Sequence, residues 1–195
     1  MSKVIRTLLI IAVGSILYVI TYLLLRTGLN YLPALYLWKN ANPILNIHGL
    51  EFSIADIFYF VFGSIVTVHG LINLFSITEE NHSAQNMITR KTEKLITTGF
   101  YSKVRHPMYG TFVIIYLGMF LSIRSLWGVF IVLIIGIIQF FNTKLEEKRL
   151  IKTFGEEYRK YIQKVKSKLF IPIYRIYIVI GAIATILGLV QKGIR

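Results

Sequence analysis

Long apolar runs separated by basic, polar stretches constrain this fold more than any other feature of the chain. Three runs approach or exceed the roughly 20 residues that a membrane-crossing helix needs. Two shorter runs are divided only by Arg124 and Ser125. The five runs are Val4–Leu25, Ile54–Ser76, Pro107–Ile123, Leu126–Phe141 and Ile173–Val190. They predict an all-α, polytopic membrane protein with five transmembrane helices, of which the third and fourth form a tight helical hairpin.

The distribution of basic residues predicts how the chain is oriented. The sequence holds 22 Lys and Arg against 9 Asp and Glu. Of those 22 bases, 17 lie near the N-terminus, in 78–105 or in 143–175. Because cytoplasmic loops carry the excess of Lys and Arg, we expect these segments and the N-terminus to be cytoplasmic and the C-terminus to be outside. Bases confined to loops between spans argue against a nucleic-acid-binding surface.

Other residue types limit the chemistry that the protein can carry out and indicate how its chain is organised. The chain has no cysteine, which excludes disulfides and a thiol nucleophile. The spacing of the histidines does not suit a metal site. The pattern divides the chain into an N-terminal two-span region with an outer loop, 1–76, and a cofactor-binding catalytic region, 77–195. Residues 144–166 are amphipathic and predict two short cytoplasmic interfacial helices that Gly155 separates.

Polar residues within the second run have a structural interpretation. His69 and Asn73 lie one helical turn apart in that apolar stretch. Polar side chains at membrane depth usually face other helices. We therefore expect His69 and Asn73 to form hydrogen bonds between helices.

A basic pair precedes the third run. Arg105 and His106 come directly before Pro107, a residue suited to the first position of a helix. The backbone N–H groups of that helix start and the two side chains would converge on one spot, which is typical of a carboxylate or phosphate site. The alternative is a basic membrane anchor in front of a helix-starting proline.

An acidic pair follows the fourth run. Glu146 and Glu147 lie on the same predicted membrane face as Arg105 and His106. One glutamate would bind a ligand ammonium while the basic pair binds its carboxylate, so the two clusters together predict a site for an amino-acid zwitterion. The alternative is a surface ion-pair network that Glu146 and Glu147 form with neighbouring bases.

A glycine-aromatic segment leads into the basic pair. Gly99 allows close backbone approach, and Phe100 and Tyr101 offer ring faces. This segment would cradle a purine, or form a membrane-surface turn with aromatic anchors; the sequence supports both equally.

These segments together resemble a known family. They read LITTGFY at 95–101, VRHPMY at 104–109, EEKRL at 146–150 and FGEEYRKY at 154–161. Their order and spacing resemble the integral-membrane isoprenylcysteine carboxyl methyltransferases, and the small size resembles archaeal members. The resemblance covers roughly the C-terminal half of the chain.

The resemblance implies a cofactor and assigns residues to it. S-adenosylmethionine would be the methyl donor and S-adenosylhomocysteine the product. Arg105 and His106 would hold the donor's carboxylate region, and Glu146 or Glu147 its ammonium. The remaining predicted cofactor-binding residues are those near the adenine, Gly99, Phe100 and Tyr101, and one that lines the pocket, Tyr109.

The resemblance also implies an acceptor, the C-terminal carboxylate of a prenylated cysteine that enters from the bilayer among the membrane lipids. That carboxylate, with a pKa of about 3.3–3.7, is ionised at neutral pH and needs no general base. A cation would orient it; Arg105 and Arg149 are the predicted catalytic residues, with Lys164 a further candidate.

Three other functions remain open from the sequence. A phospholipid N-methyltransferase would use the same donor site with a neutral amine acceptor, which requires proton removal. An NADPH-dependent membrane reductase is suggested by a related Arg-His-Pro pattern. A small membrane channel or assembly factor would bind neither cofactor.

Overall fold

The fold consists of apolar helices and one short β-hairpin. The computed structural model describes residues 5, 8, 12–17, 19–20, 43–47, 50–82 and 94–193. In chain order the elements are β1 (Leu45–Ile47), β2 (Leu50–Phe52), α1 (Ile54–His82), a 3-10 turn (Gly99–Ser102), α2 (Pro107–Ser122), α3 (Leu126–Phe154), α4 (Glu156–Lys164) and α5 (Pro172–Gly193).

Three of the described helices are long and apolar enough to cross a membrane. They are α1, α3 and the stretch Pro172–Val190 of α5. Helix α2 is apolar, but its 16 residues span only about 24 Å at 1.5 Å per residue. Within the first predicted span, residues 5, 8, 12–17 and 19–20 are helical and the others lie outside the described residues. The membrane helices are thus supported, while the number five stays a prediction.

Helix α2 is the buried centre of the bundle, and small residues let α1 approach it closely. A Cβ atom on Gly63 would lie 2.5 Å from the carbonyl oxygen of Gly118, and one on Gly70 would lie 2.7 Å from Cγ1 of Ile115. Such contact between helix backbones is the usual role of small residues in membrane bundles, where dispersion forces replace the hydrophobic effect. The α1–α2 pair is therefore closely packed, backbone against backbone.

Polar side chains join α5 to this pair. The side-chain amide of Asn73 donates a hydrogen bond to the Tyr174 hydroxyl at 3.0 Å, and Thr111 on α2 contacts the same hydroxyl at 3.1 Å. His69 Nδ1 lies 2.7 Å from the Tyr177 hydroxyl. The predicted role of His69 and Asn73 in bonding between helices is confirmed.

The turn between α2 and α3 is as tight as predicted. Arg124 has a φ of 53°, and the Ser125 hydroxyl caps α3 by accepting a hydrogen bond from the N–H of Gly128 at 3.0 Å. Arg124 Nε also lies 3.0 Å from Oδ1 of Asp56, near the start of α1, and both side chains are buried. This ion pair fastens the hairpin turn to the start of α1.

Two boundary predictions were wrong. Helix α3 does not end at Phe141 but continues to Phe154, so Glu146 and Glu147 lie inside a helix. Only α4 is a separate short helix after Gly155, which has a φ of 53°. The apolar pattern stops at the membrane boundary, whereas backbone hydrogen bonding continues beyond it. Similarly, α1 does not end at Ser76 with the second apolar run but continues to His82. The division into 1–76 and 77–195 stays a prediction.

The assignment to the all-α class also missed the hairpin of β1 and β2. Leu45 pairs with Phe52, and Ile47 pairs with Leu50, in antiparallel register. Apolar residues alternate with polar ones in both strands, which is the two-residue period of a strand. Strands of three residues are too short to stand out as apolar runs.

The close α1–α2 crossing predicts a matched pair of substitutions. Gly118→Ala places a Cβ 2.7 Å from the Gly63 carbonyl oxygen and from the Thr67 backbone nitrogen. We expect it to destabilise the protein by about 1–3 kcal/mol, because the neighbouring backbone cannot move aside. Gly136→Ala on α3 meets only Val113 Cγ1 at 3.9 Å. We expect this control to be neutral or stabilising in detergent thermal unfolding; equal loss in both variants would contradict the close packing.

Candidate functional site

A cavity lined by both polar and apolar side chains lies at the end of the bundle where α1 ends and α2 begins. Its volume is about 250 Å³. Side chains from four helices and the segment before α2 bound it: Asn81, Leu95, Ile96, Tyr101, Arg105, His106, Met108, Tyr109, Glu146, Leu150, Tyr158 and Tyr161. The start of α2 and the C-terminal part of α3 therefore meet at the cavity. This brings the predicted basic and acidic clusters together.

Glu147 is held by two cations on the side of this cavity. Arg105 Nε lies 2.8 Å from Oε1 of Glu147, and Lys168 Nζ lies 2.7 Å from Oε2. Both oxygens of the carboxylate therefore have charged partners. The Glu147 side chain is only 14% exposed, so its carboxylate is part of the packed structure.

Arg105 also fastens the segment 165–169 that follows α4, which we call the strap. Its Nη1 donates hydrogen bonds to the carbonyls of Val165, at 2.6 Å, and Lys166, at 3.1 Å. Its backbone N–H donates to the Ser167 carbonyl at 3.0 Å. Arg105 thereby joins α3 to the strap. Within the described residues its Nη2 makes no hydrogen bond, which leaves donors available on a residue that lines the cavity.

The strap also contacts the first turns of α2. The N–H of His106 donates to the carbonyl of Lys168 at 2.9 Å. A Cβ atom on Gly110 would collide with the carbonyl oxygen of Leu169. The missing side chain at Gly110 is therefore what allows the strap to cross α2 so closely.

His106, at the start of α2, lies between the two glutamates of α3. Its Nδ1 is 3.2 Å from Oε2 of Glu146, and its Nε2 is 3.4 Å from Oε1 of Glu147. The second contact lacks hydrogen-bond geometry, so Nε2 is buried without a hydrogen-bond partner. The imidazole is 3% exposed, whereas Glu146 is 39% exposed. Glu146 is therefore the more accessible of the two carboxylates.

Three tyrosines form the opposite wall. Tyr161 donates a hydrogen bond to the Tyr101 carbonyl at 2.7 Å, and Tyr101 donates to the side-chain oxygen of Asn81 at 2.7 Å. The buried Tyr158 hydroxyl has no hydrogen-bond partner. Burial raises the pKa of all three phenols above the ordinary value, and for Tyr101 the Glu146 charge raises it further. The three hydroxyls consequently stay protonated at neutral pH; those of Tyr101 and Tyr161 donate hydrogen bonds, and that of Tyr158 has its proton available.

The turn that contains Gly99, Phe100 and Tyr101 supports the tyrosine wall on the side away from the cavity. Gly99 has a φ of 56°, and a Cβ there would collide with the Glu80 carboxylate. The backbone N–H of Phe100 donates to that carboxylate at 3.1 Å, while its ring packs on the main hydrophobic core. Of the predicted purine cradle, only Tyr101 lines the cavity.

The predicted site residues therefore divide into two groups. Five line the cavity: Tyr101, Arg105, His106, Tyr109 and Glu146. Four do not: Gly99, Phe100, Glu147 and Arg149. Arg149 is exposed on α3, one turn beyond Glu146.

Several residues of the cavity wall and of the charged cluster beside it were not predicted from the sequence. Tyr158 and Tyr161 carried a signal, since they recur at helical spacing on the buried face of α4. Lys168 carried none, because it lies in an irregular segment where no periodicity assigns its direction. Asn81 follows the apolar part of α1. It lines the cavity because the helix continues beyond its apolar part.

The cavity joins residues from α1 through α4, and one family model covers most of that stretch, ending just before Tyr158 and Tyr161. The model for phospholipid methyltransferase matches residues 58–157, just over half of the chain. The chain belongs to the phospholipid methyltransferase family. No curated protein matches it. As a phospholipid methyltransferase family member with membrane-length helices, the protein is a membrane methyltransferase. The family match includes α2 and both glutamates but not the strap.

The charged cluster predicts unequal costs for two arginine substitutions. Arg105→Ala removes one of the two cations bound to Glu147 and the side-chain donor to two strap carbonyls. We expect a loss of about 2–3 kcal/mol in unfolding free energy, because hydrogen bonds to charged groups contribute about 1.5–3 kcal/mol. Arg105→Lys should recover only part of it, since an ammonium lacks the planar fork.

Arg159→Ala is the matched control for Arg105→Ala. Arg159 pairs with Glu156 at 3.3 Å, and these side chains are 58% and 80% exposed. The control should change stability by less than about 0.5 kcal/mol. Chemical denaturation in detergent measures both variants, and similar losses would disprove the special role of Arg105.

Proposed function

We propose that the protein transfers a methyl group from S-adenosylmethionine to an acceptor carried by a membrane lipid chain. The observation that carries the proposal is the meeting of Glu146, His106 and Tyr158 at one cavity. Two of these residues bear buried polar atoms without hydrogen-bond partners, His106 Nε2 and Tyr158 Oη. Leaving such atoms unpaired costs about 1–3 kcal/mol each, so a polar ligand would recover that energy.

The cavity residues fit a donor with an amino-acid end and an aromatic base. The accessible Glu146 carboxylate suits the ammonium, and the donors on His106 and Arg105 Nη2 suit the carboxylate. The rings of Tyr101 and Tyr109 offer flat surfaces for the adenine. A volume of about 250 Å³ is near the lower end of ligand sites, about 300–1,000 Å³. When bound, the donor supplies an electrophilic methyl group on its sulfonium.

The geometry supports different roles for the two glutamates. Glu146 would contact the donor, whereas Glu147 would hold Arg105 and Lys168 in place. The protein would contribute mainly alignment and exclusion of water, since methyl transfer between aligned groups needs no metal or covalent intermediate.

The first candidate acceptor is the carboxylate of a prenylated cysteine. The motifs at 95–109 and 146–161 support it, and an ionised carboxylate needs no base. Arg149 would orient it from the rim of the cavity, one turn beyond Glu146. The excess of bases on the site side of the bundle supports a cytoplasmic active site.

The second candidate acceptor is the amine of a phospholipid, and the family description favours it. An amine must lose a proton before it attacks the methyl group. His106 and Glu146, with their 3.2 Å contact, form the pair that would accept this proton.

Donor binding tests the assignment of the site. Glu146→Gln and His106→Ala should each weaken S-adenosylhomocysteine binding about 10–100-fold, the equivalent of one hydrogen bond to a charged group. Glu157→Gln, an exposed glutamate on α4, should leave affinity unchanged. Calorimetry on detergent-purified protein measures all three. Unchanged affinity in both cavity variants, with folding intact, would refute the site, and tight NADPH binding would favour a reductase.

A transfer assay separates the two acceptors. Purified protein in vesicles receives S-adenosylmethionine with a labelled methyl group, together with either a prenylated cysteine or phosphatidylethanolamine. We expect label in a base-labile methyl ester of the prenylated cysteine. Label found only in the phospholipid amine would replace the first acceptor with the second. Affinity for neither cofactor would support a channel or assembly factor.

A further inference from the structure

One face of α3 changes from apolar to basic without a change of direction. Ile134, Ile137 and Phe141 are each more than half exposed and lie on one face of this helix. The same face continues as Lys144, Lys148 and Lys152, which are all exposed and repeat every four residues. We call these three the lysine row. It extends about 12 Å along the helix axis, at 1.5 Å per residue.

The change occurs where a bilayer would end. A hydrocarbon core about 30 Å thick accommodates about 20 residues of helix, which counted from Leu126 ends close to Lys144. The Lys144 ammonium lies 4.8 Å from the centre of the Phe140 ring and 5.3 Å from that of Phe141. Aromatic rings and a lysine stem in contact are typical of a membrane interface. The lysine row therefore begins at headgroup level.

The row lies on the opposite side of α3 from Glu146, which lines the cavity. Within α3 the only acidic residues are Glu146 and Glu147, and their carboxylates contact residues at the start of α2. None of the three lysines forms an ion pair in the part of the chain that the structure describes. The bases of α4 are arranged differently, since Arg159 pairs with Glu156.

We propose that the lysine row binds the headgroups of anionic phospholipids, with the apolar face of α3 packed on their acyl chains. The partner is a lipid leaflet because the lipid-facing apolar stripe leads directly into the row. Each lysine near an anionic surface adds favourable electrostatic energy. This binding is independent of methyl transfer.

Lipid retention tests the proposal on the full-length protein. Protein in a non-ionic detergent is mixed with phosphatidylglycerol or phosphatidylcholine, separated by size exclusion, and its retained lipid is quantified. Wild type should retain phosphatidylglycerol in preference. The triple variant K144Q/K148Q/K152Q should lose roughly tenfold of this preference, and K144R/K148R/K152R should keep it.

A second triple variant controls for net charge. K160Q/K164Q/K166Q removes three exposed bases from α4 and the strap, and should retain phosphatidylglycerol as wild type does. Equal loss in both glutamine triples, or no loss in the first, would overturn the proposal. High salt should abolish the wild-type preference, and a salt-insensitive preference would overturn it even if the first triple failed to fold. Preferential binding of an oligonucleotide over phosphatidylglycerol would assign the row to a different partner.

Discussion

The ion-pair cluster of Arg105, Glu147 and Lys168 is the interaction on which the site depends. It joins three segments that the membrane helices alone would not hold together. These are the residue pair before α2, the C-terminal part of α3, and the strap. Charges with little exposure are stable only when each is paired and hydrogen-bonded. Here each oxygen of Glu147 has a cation within 2.8 Å, and Arg105 also bonds two carbonyls. This arrangement fixes one wall of the cavity.

Helix α2 is held at both ends, which gives the cluster a fixed base. At the site end, Gly110 admits the strap against the helix. At the other end, the buried pair of Arg124 and Asp56 ties the hairpin turn to α1. Between them, α1 and α2 are in backbone contact. A short central helix held in this way leaves few alternative positions for His106, and methyl transfer depends on such alignment.

The donor site proposed for the cavity agrees with membership of the phospholipid methyltransferase family. The family match establishes a membrane methyltransferase. In the proposed function the cavity would contribute binding, orientation and exclusion of water, and would need few reactive groups. The lysine row on the far side of α3 adds a separate contact with the membrane, so α3 would serve the donor site on one face and the lipid leaflet on the other.

Much of this architecture follows from the sequence alone. The apolar runs predicted the described membrane helices and the tight α2–α3 turn, because helix length and hydropathy are local properties. The motifs predicted that the clusters at 105–106 and 146–147 would meet, and His106 and Glu146 do. Predictions that rested on hydropathy alone were wrong at the end of α3 and at the small hairpin of β1 and β2.

Only the tertiary structure decided which glutamate is accessible. Glu146 and Glu147 are neighbours in sequence, but successive residues on a helix point about 100° apart. One therefore borders the cavity while the other binds Arg105 and Lys168. Lys168 comes from an irregular segment, whose path is set by contacts with Arg105, His106 and Gly110 and not by any periodic pattern. The sequence alone determined which chemical groups gather at this end of the bundle, and packing decided which of them a ligand would reach.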